Sequence, residues 1–289
     1  MTTSSGTQLS RSFFGRFPKI CAETSENDQM NAARITSHVL PWCLPPQTLV
    51  LGCDEVHVWR ATLDQTPSQI QSFLHNLSAD EQARAEKFYF ERDRERFIVA
   101  RGVLRAILGS YLNRAPECLS FSYSSHGKPA LAEESGRDAI RFSVSHSQGV
   151  ALYAVTSGRE VGIDLEHIRF DLAVVEIVER FFSQREVATL RTLPTEVQRQ
   201  AFFNCWTRKE AYIKARGEGL SLPLDQFDVS LVPGEPAAVL GTRPDPSEAF
   251  RWSLHELPST PGYAAVLAVE GHQWRLTCWQ WPDLRQQSV

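Results

Sequence analysis

Apolar residues recur along this chain with two periods, one typical of strands and one typical of helices. Positions 56–60 alternate between apolar and polar residues and 151–155 are continuously apolar, so both stretches predict strands. From Arg92 to Leu112 the apolar residues follow helical spacing and predict a long amphipathic helix. Further strand patterns lie at 140–144, 161–163, 227–231, 264–269 and 274–279.

Polar residues mark where other helices begin. Ser78 precedes Glu81 by three positions, and Ser183 precedes Glu186 in the same way, which is the spacing of a capping box. A third helix is predicted from about 196 to 216, where glycines close it. The mixture of helices and strands predicts an α+β fold.

The second part of the chain repeats the pattern of the first. Residues 141–144 followed by 151–155 resemble 251–254 followed by 265–269, and a long helix precedes each copy. Duplication explains this better than chance. We therefore expect two similar α/β halves related by a pseudo-twofold axis, with the active site in the cleft between them.

The chain is therefore predicted to consist of a leader and two halves. Residues 1–50 form a leader, which we expect to be partly disordered or loosely packed. It is rich in Ser and Thr and has no acid before Glu23, so it faintly resembles a transit peptide, the less favoured alternative. Residues 51–160 form the N-terminal half and residues 161–289 the C-terminal half.

Composition narrows the function classes. Of 289 residues, 42% are hydrophobic and 22% charged, as in an ordinary globular protein, and the net charge of −4 does not favour nucleic acid or membrane as a partner. No run of about 18 apolar residues predicts a membrane span. Six cysteines without a C-x-x-C pair predict neither a zinc site nor a disulfide framework and fit a reducing, cytoplasmic compartment.

Two acids stand at the end of one predicted strand. Because side chains alternate along a strand, Asp164 and Glu166 point the same way while Leu165 points into the core. Two carboxylates on one face repel each other unless a cation lies between them, and such oxygen ligands suit Mg²⁺. Taken alone, the pair could also be a polar strand end in water.

The third helix offers another acid. Helical spacing aligns Phe203, Trp206, Glu210 and Lys214 on one side. Glu210 and Lys214 could be an ordinary surface ion pair, but the aromatic neighbours indicate burial, and a buried carboxylate needs a partner. Glu210 would also supply the third oxygen ligand that Asp164 and Glu166 lack.

These two motifs resemble a known pair. Gly162-Ile163-Asp164-x-Glu166 followed by Trp206-x-x-Lys209-Glu210-Ala211-x-x-Lys214 is similar to the signature of the 4'-phosphopantetheinyl transferases, in their two-halved, Sfp-type branch. The likeness covers about residues 56–280 and leaves the leader without a counterpart. Supporting stretches are Arg92-Asp93, Ala100-Arg101-Gly102, Gly127-Lys128-Pro129, Phe142 to Ser147 and Gly217 to Leu224.

The resemblance implies an activity. Such enzymes move the phosphopantetheine arm of coenzyme A onto a serine of an apo carrier protein and release 3',5'-ADP. It implies that Asp164, Glu166 and Glu210 hold Mg²⁺, and that Lys214 meets the phosphate and stabilises the departing oxygen. Which group accepts the serine proton stays open between Glu210, Glu186 and a metal-bound water.

The resemblance also implies which residues contact coenzyme A and which contact the carrier protein. Coenzyme A would meet Arg101, Lys128, Ser145, His146 and Lys214, so that the N-terminal half is the coenzyme A side and the C-terminal half the metal and catalytic side. The carrier would contact Leu220 to Leu224, while Phe182 is expected in the core.

A single chain that supplies both sides of the cleft is expected to be a monomer. The alternatives are a catalytically silent adaptor that binds carrier or coenzyme A, and a metal-dependent phosphohydrolase. The sequence does not say which carriers are served, or whether Mn²⁺ replaces Mg²⁺.

Overall fold

The computed structural model describes residues 42–132, 136, 138–169, 174–258 and 260–282. All of the described residues belong to one compact unit. The predicted leader therefore lies outside the described residues up to position 41.

The described residues form a mixed α+β structure, as the sequence predicts. The strands are β1 Glu55–Thr62, β2 Phe121–Tyr123, β3 Pro129–Leu131, β4 Ile140–Ser147, β5 Val150–Ser157, β6 Val161–His167, β7 Phe227–Val229, β8 Val239–Thr242, β9 Trp252–Glu256, β10 Tyr263–Glu270 and β11 Arg275–Gln280. The α-helices are α1 Pro67–His75, α2 Ala79–Ala85, α3 Glu91–Leu112, α4 Val174–Phe181, α5 Gln184–Thr192 and α6 Thr195–Arg216.

Local signals set the helix ends where the sequence places them. Both capping boxes are present, at Ser78 before α2 and at Ser183 before α5. The helix α6 ends at Gly217, whose φ of 72° is the left-handed conformation that glycine adopts without strain. The two long helices, α3 and α6, each have 22 residues.

Two sheets share one strand plan. The first has the order β11-β1-β5-β4, and the second has the order β6-β10-β9. In each sheet a first strand (β1 or β6) pairs antiparallel with the second strand of a hairpin (β4–β5 or β9–β10). A 22-residue helix lies between the first strand and the hairpin in both. This plan agrees with the predicted repeat; the pseudo-twofold axis itself stays a prediction.

The body is built of four layers. Trp59 and Ala61 of β1 pack on one face of the first sheet against α3. The other face, including Val58, packs against the inward face of the second sheet, which includes Ile163 of β6. The helix α6 covers the outer face of the second sheet. The layers therefore run helix, sheet, sheet, helix, with an apolar layer shared by both sheets.

The end of the chain returns to the first sheet. Strand β11 comes from the predicted C-terminal half yet pairs in parallel with β1. Cys43 forms a parallel bridge with Trp279 next to it, and Leu49 packs against the first core. Cys43, from the described end of the predicted leader, thus lies at this edge, and the two predicted halves share a sheet.

No helix among the described residues is both long enough and apolar enough to cross a bilayer.

Candidate active site

A single glycine lets β6 lie directly on α6. A Cβ atom at Gly162 would stand 2.0 Å from the Ala211 carbonyl oxygen and 2.4 Å from the Ala215 backbone nitrogen. Any larger residue would have to push the strand away from the helix. Because Glu210 and Lys214 each precede one of these alanines, the close contact brings them to the strand.

Three carboxylates lie near enough to this contact to act on the charge of Lys214. Asp164 is 3% exposed and lies on the α6 side of β6. Burial, followed by the negative charge of Asp164, raises the pKa of Glu166 to about 8 and that of Glu210 to about 7. Both shifts have burial as their larger cause and the neighbouring negative charge as their smaller one.

Lys214 compensates part of this negative charge. Its Nζ donates to Asp164 Oδ1 at 2.7 Å, to Ser145 Oγ at 3.1 Å and to the Ile163 carbonyl at 3.2 Å. Burial alone would lower the pKa of Lys214, but the three neighbouring carboxylates outweigh it and raise the pKa. The ammonium is therefore charged at neutral pH.

The donor chemistry of the cluster fits a hard divalent cation. Asp164 Oδ2 is buried and has no hydrogen-bond partner, an arrangement that costs free energy unless something binds there. Within the described ranges, no three His, Cys, Asp or Glu side chains are already arranged around one metal position. The metal-ligand roles of Asp164, Glu166 and Glu210 therefore stay a prediction.

His146 lies on β4; the residue is exposed to solvent, although neighbouring protein groups still remove part of the water around its imidazole. Desolvation by the surrounding protein, followed by the positive charges of Lys214 and Arg96, lowers its pKa. Ser145, the preceding residue, is buried and donates to Asp164 Oδ1 at 2.8 Å. Residues of the predicted N-terminal half thus lie beside the carboxylates of the C-terminal half.

Lys128 and Arg101 are engaged elsewhere in the structure. Lys128 Nζ donates to Glu160 Oε2 at 2.8 Å and to the Ala215 carbonyl at 2.9 Å, beside the end of α6. Arg101 forms an ion pair with buried Glu81 and lies over the Phe121 ring, 4.2 Å from its centroid. Their predicted contacts to coenzyme A stay predictions.

Glu186 is fixed inside the protein. One of its oxygens, Oε2, accepts from the Ser183 backbone and lies 2.8 Å from Lys209 Nζ, while Oε1 accepts from the Val229 backbone at 2.8 Å. The side chain is 1% exposed. Glu186 therefore has a structural role at the start of α5, and its predicted alternative role as proton acceptor stays a prediction.

The predicted carrier-facing stretches are mixed. Phe182 is buried and stacks on Phe202, so it belongs to the core as expected. Leu224 is also buried and so unavailable as a contact, while Leu222 is partly exposed. The side chain of Leu220 lies outside the described residues.

Sequence reasoning missed one residue at the cluster. Ser147 Oγ donates to Glu166 Oε2 at 3.2 Å. The available signal was its alternation with Ser143 and Ser145, which places all three hydroxyls on one face of β4.

A buried carboxylate cluster with a charged lysine, at the junction of two sheets, is the chemistry expected of an enzyme that handles a phosphate-bearing substrate. Sequence comparison makes this class specific. The profile of the 4'-phosphopantetheinyl transferase superfamily matches residues 160–269, and the profile of the N-terminal part of 4'-phosphopantetheinyl transferases matches residues 59–158.

Individual relatives agree with the profiles. The chain is 43% identical over 240 residues to the 4'-phosphopantetheinyl transferase HetI of a Nostoc species, covering 83% of this chain and 98% of HetI. It is 31% identical over 171 residues to the 4'-phosphopantetheinyl transferase Sfp of Bacillus subtilis. That match covers 58% of this chain and 74% of Sfp. A solved ACPS–CoA complex of Chronobacterium ammoniagenes is 20% identical to this chain and has a TM-score of 0.30. The match covers 40% of this chain and 98% of the chain in that structure. On the two family profiles and the likeness to HetI, the chain belongs to the 4'-phosphopantetheinyl transferase superfamily.

Proposed function

We propose that this protein transfers the 4'-phosphopantetheine arm of coenzyme A to a serine of an apo carrier protein, releasing 3',5'-ADP, in a Mg²⁺-dependent reaction. Family membership supports the activity. The observation that carries the mechanism is the meeting of Asp164, Glu166, Glu210 and Lys214 where β6 lies on α6 at Gly162.

Asp164, Glu166 and Glu210 would hold the Mg²⁺ ion. The unpartnered Oδ2 of Asp164 and the raised pKa values of the two glutamates support this ligand set. When bound, Mg²⁺ supplies neutralisation of the pyrophosphate charge, which carries much of phosphoryl transfer. Coenzyme A would thereby lie at the junction of the two halves.

Glu210 is the proposed general base. In the transfer, the carrier serine oxygen forms a bond to the β-phosphorus, the bond from that phosphorus to the 3',5'-ADP oxygen breaks, and the serine proton passes to the base. A carboxyl with a pKa of about 7 suits this task near neutral pH. Lys214, charged and next to Asp164, would donate a hydrogen bond to the departing phosphate oxygen.

Coenzyme A is proposed to contact the N-terminal half. His146 is best placed for it, because it is open to solvent and close to the charge of Lys214. Ser145, Lys128 and Arg101 are proposed as further contacts, and each would exchange a bond it now makes within the protein for one to coenzyme A.

The other partner is proposed to be an apo acyl, peptidyl or aryl carrier. The enzyme is proposed to act as a cytoplasmic monomer without nucleic-acid or membrane partners, because one chain supplies both sides of the site. The adaptor alternative would not need the acids, and all three are present.

Incubation of apo carrier proteins with enzyme, coenzyme A and Mg²⁺, followed by mass spectrometry of the carrier, tests the proposal. We expect wild type to add the arm, and Asp164→Ala and Glu210→Ala to lose about 100-fold or more in rate. Glu179→Ala, which removes a half-exposed acid on α4, is the matched control and should react normally. No loading by wild type of any carrier in a panel, or normal rates in both site variants, would refute these roles.

A further inference from the structure

Strand β6 is an edge strand whose outward amides are satisfied by side chains. It pairs with β10 on one side, so alternate backbone N–H groups point away from that partner and need acceptors. The neighbouring strand is β4, the edge of the other sheet. The acceptors are serine hydroxyls of β4: Ile163 N to Ser143 Oγ at 3.1 Å, Leu165 N to Ser145 Oγ at 3.2 Å and His167 N to Ser147 Oγ at 3.1 Å.

We call Ser143, Ser145 and Ser147 the serine seam. A serine side chain takes the place of a backbone carbonyl at every second residue, because Cβ atoms two positions apart share a face. The seam therefore fixes the register between β4 and β6, and with it the position of the carboxylate-bearing strand against the other half of the protein.

Two of the three hydroxyls also reach the carboxylates. The Ser145 hydroxyl donates to Asp164 Oδ1 at 2.8 Å, and the Ser147 hydroxyl donates to Glu166 Oε2 at 3.2 Å. In the described part of the chain, Ser143 makes no hydrogen bond to a carboxylate. The seam thus contains two residues with a second contact and one without it.

The hydroxyl of Ser145 has no hydrogen-bonding capacity left. A hydroxyl has one proton to donate and two lone pairs to accept with. Ser145 donates to Asp164 and accepts from the Leu165 backbone and from Lys214 Nζ. A ligand could bind this hydroxyl only by displacing one of these partners, so its contacts tie Lys214, Asp164 and the strand together instead.

We propose that Ser145 and Ser147 are positioning residues, which orient the carboxylates of Asp164 and Glu166 for a divalent cation, whereas Ser143 serves the strand alone. Hydrogen bonds from neighbouring groups hold metal-binding carboxylates in place, and losing such a partner typically costs about 10- to 100-fold in metal affinity. With Oδ1 of Asp164 held by Ser145 and Lys214, Oδ2 is left for the cation. The inference rests on the metal site of the proposed function.

The positioning role is tested on the full chain by measuring its Mn²⁺ affinity with electron paramagnetic resonance, in the absence of coenzyme A. Each alanine variant of the seam (Ser143→Ala, Ser145→Ala or Ser147→Ala) leaves one backbone N–H of β6 without its acceptor. All three should therefore lower the unfolding temperature measured in EDTA. We expect Mn²⁺ affinity to fall about 10- to 100-fold in Ser145→Ala and Ser147→Ala and to stay near wild type in Ser143→Ala. Ser147→Thr, which keeps the hydroxyl, should restore the affinity lost in Ser147→Ala.

The outcomes separate this inference from the function on which it depends. If wild type binds Mn²⁺ no better than Asp164→Ala, the proposed metal site itself fails. If wild type binds Mn²⁺ and all three alanine variants bind it equally, the positioning role is refuted. Should Ser145→Ala fail to fold, Ser147 carries the comparison with Ser143, because it is less buried.

Discussion

At the scale of single residues, the buried charged groups of the site would each destabilise the folded protein if their neighbours were missing. Burying several carboxylates together costs free energy unless a cation and hydrogen bonds compensate. Lys214 and the serines supply part of that compensation, and the raised pKa values of Glu166 and Glu210 show what remains. The same imbalance makes the cluster a binding site for a positive ion.

Cation binding should therefore release protons near neutral pH. Without metal, Glu166 has a pKa of about 8, raised by burial and by Asp164, so most of it is protonated at pH 7. A bound cation requires the carboxylate, so affinity should rise between about pH 6 and pH 8 as the proton is lost. Titration calorimetry with Mn²⁺ in two buffers of different ionisation enthalpy measures the released protons. Equal heats in both buffers at pH 7 would contradict the prediction.

At the scale of elements, local signals account for the helices and for which strand residues share a face. Capping boxes at Ser78 and Ser183 and the glycine after α6 mark the ends that the structure has. The alternation in β6 correctly predicts that Asp164 and Glu166 share a face. What the pattern did not reveal is why position 162 is glycine, because the reason is the backbone of α6, 49 or more residues away in the chain.

Gly162→Ala should damage both stability and the site. Its Cβ would stand 2.0 Å from a backbone oxygen of α6, so β6 must move away from the helix. Overpacking of this kind costs about 1–3 kcal/mol of unfolding free energy, and the same displacement should separate Asp164 from Lys214 and Glu210. Urea unfolding gives the first quantity, and the carrier-loading rate gives the second.

Gly241→Ala on β8 is the matched control, because a Cβ there meets nothing within 4 Å. It should unfold and react nearly as wild type does. A Gly162→Ala variant that behaves like this control would show that the close strand–helix contact does not hold the site together.

At the scale of the whole molecule, the two predicted halves share one of their hydrophobic cores. Val58 and Ala154 of the first sheet pack against Ile163 and Leu267 of the second. The first sheet also depends on β11, from the end of the chain, for one neighbour of β1. The boundary predicted at 160/161 falls within a residue or two of the point where one family profile ends and the other begins. In the structure, by contrast, strand pairing and core packing cross this boundary.

The N-terminal half expressed as residues 42–160 should not fold cooperatively. It would lack β11 and would expose the apolar face that the second sheet covers. Thermal unfolding followed by circular dichroism should show a broad change without a sharp transition, whereas residues 42–282 should unfold in one transition. A sharp transition in the shorter chain would show that the first sheet is stable alone.

The sequence by itself determined the mixed fold, the long helices, the shared face of Asp164 and Glu166, and the family, because these depend on neighbours a few positions apart or on motifs of fixed spacing. Tertiary structure alone decided the rest. Strand order, the return of β11, the serine seam and the burial of Glu186 on Lys209 depend on contacts between residues far apart in the chain. A sequence pattern such as the alternating serines of β4 shows which residues share a face, but it does not identify their partners, because only folding brings each partner near.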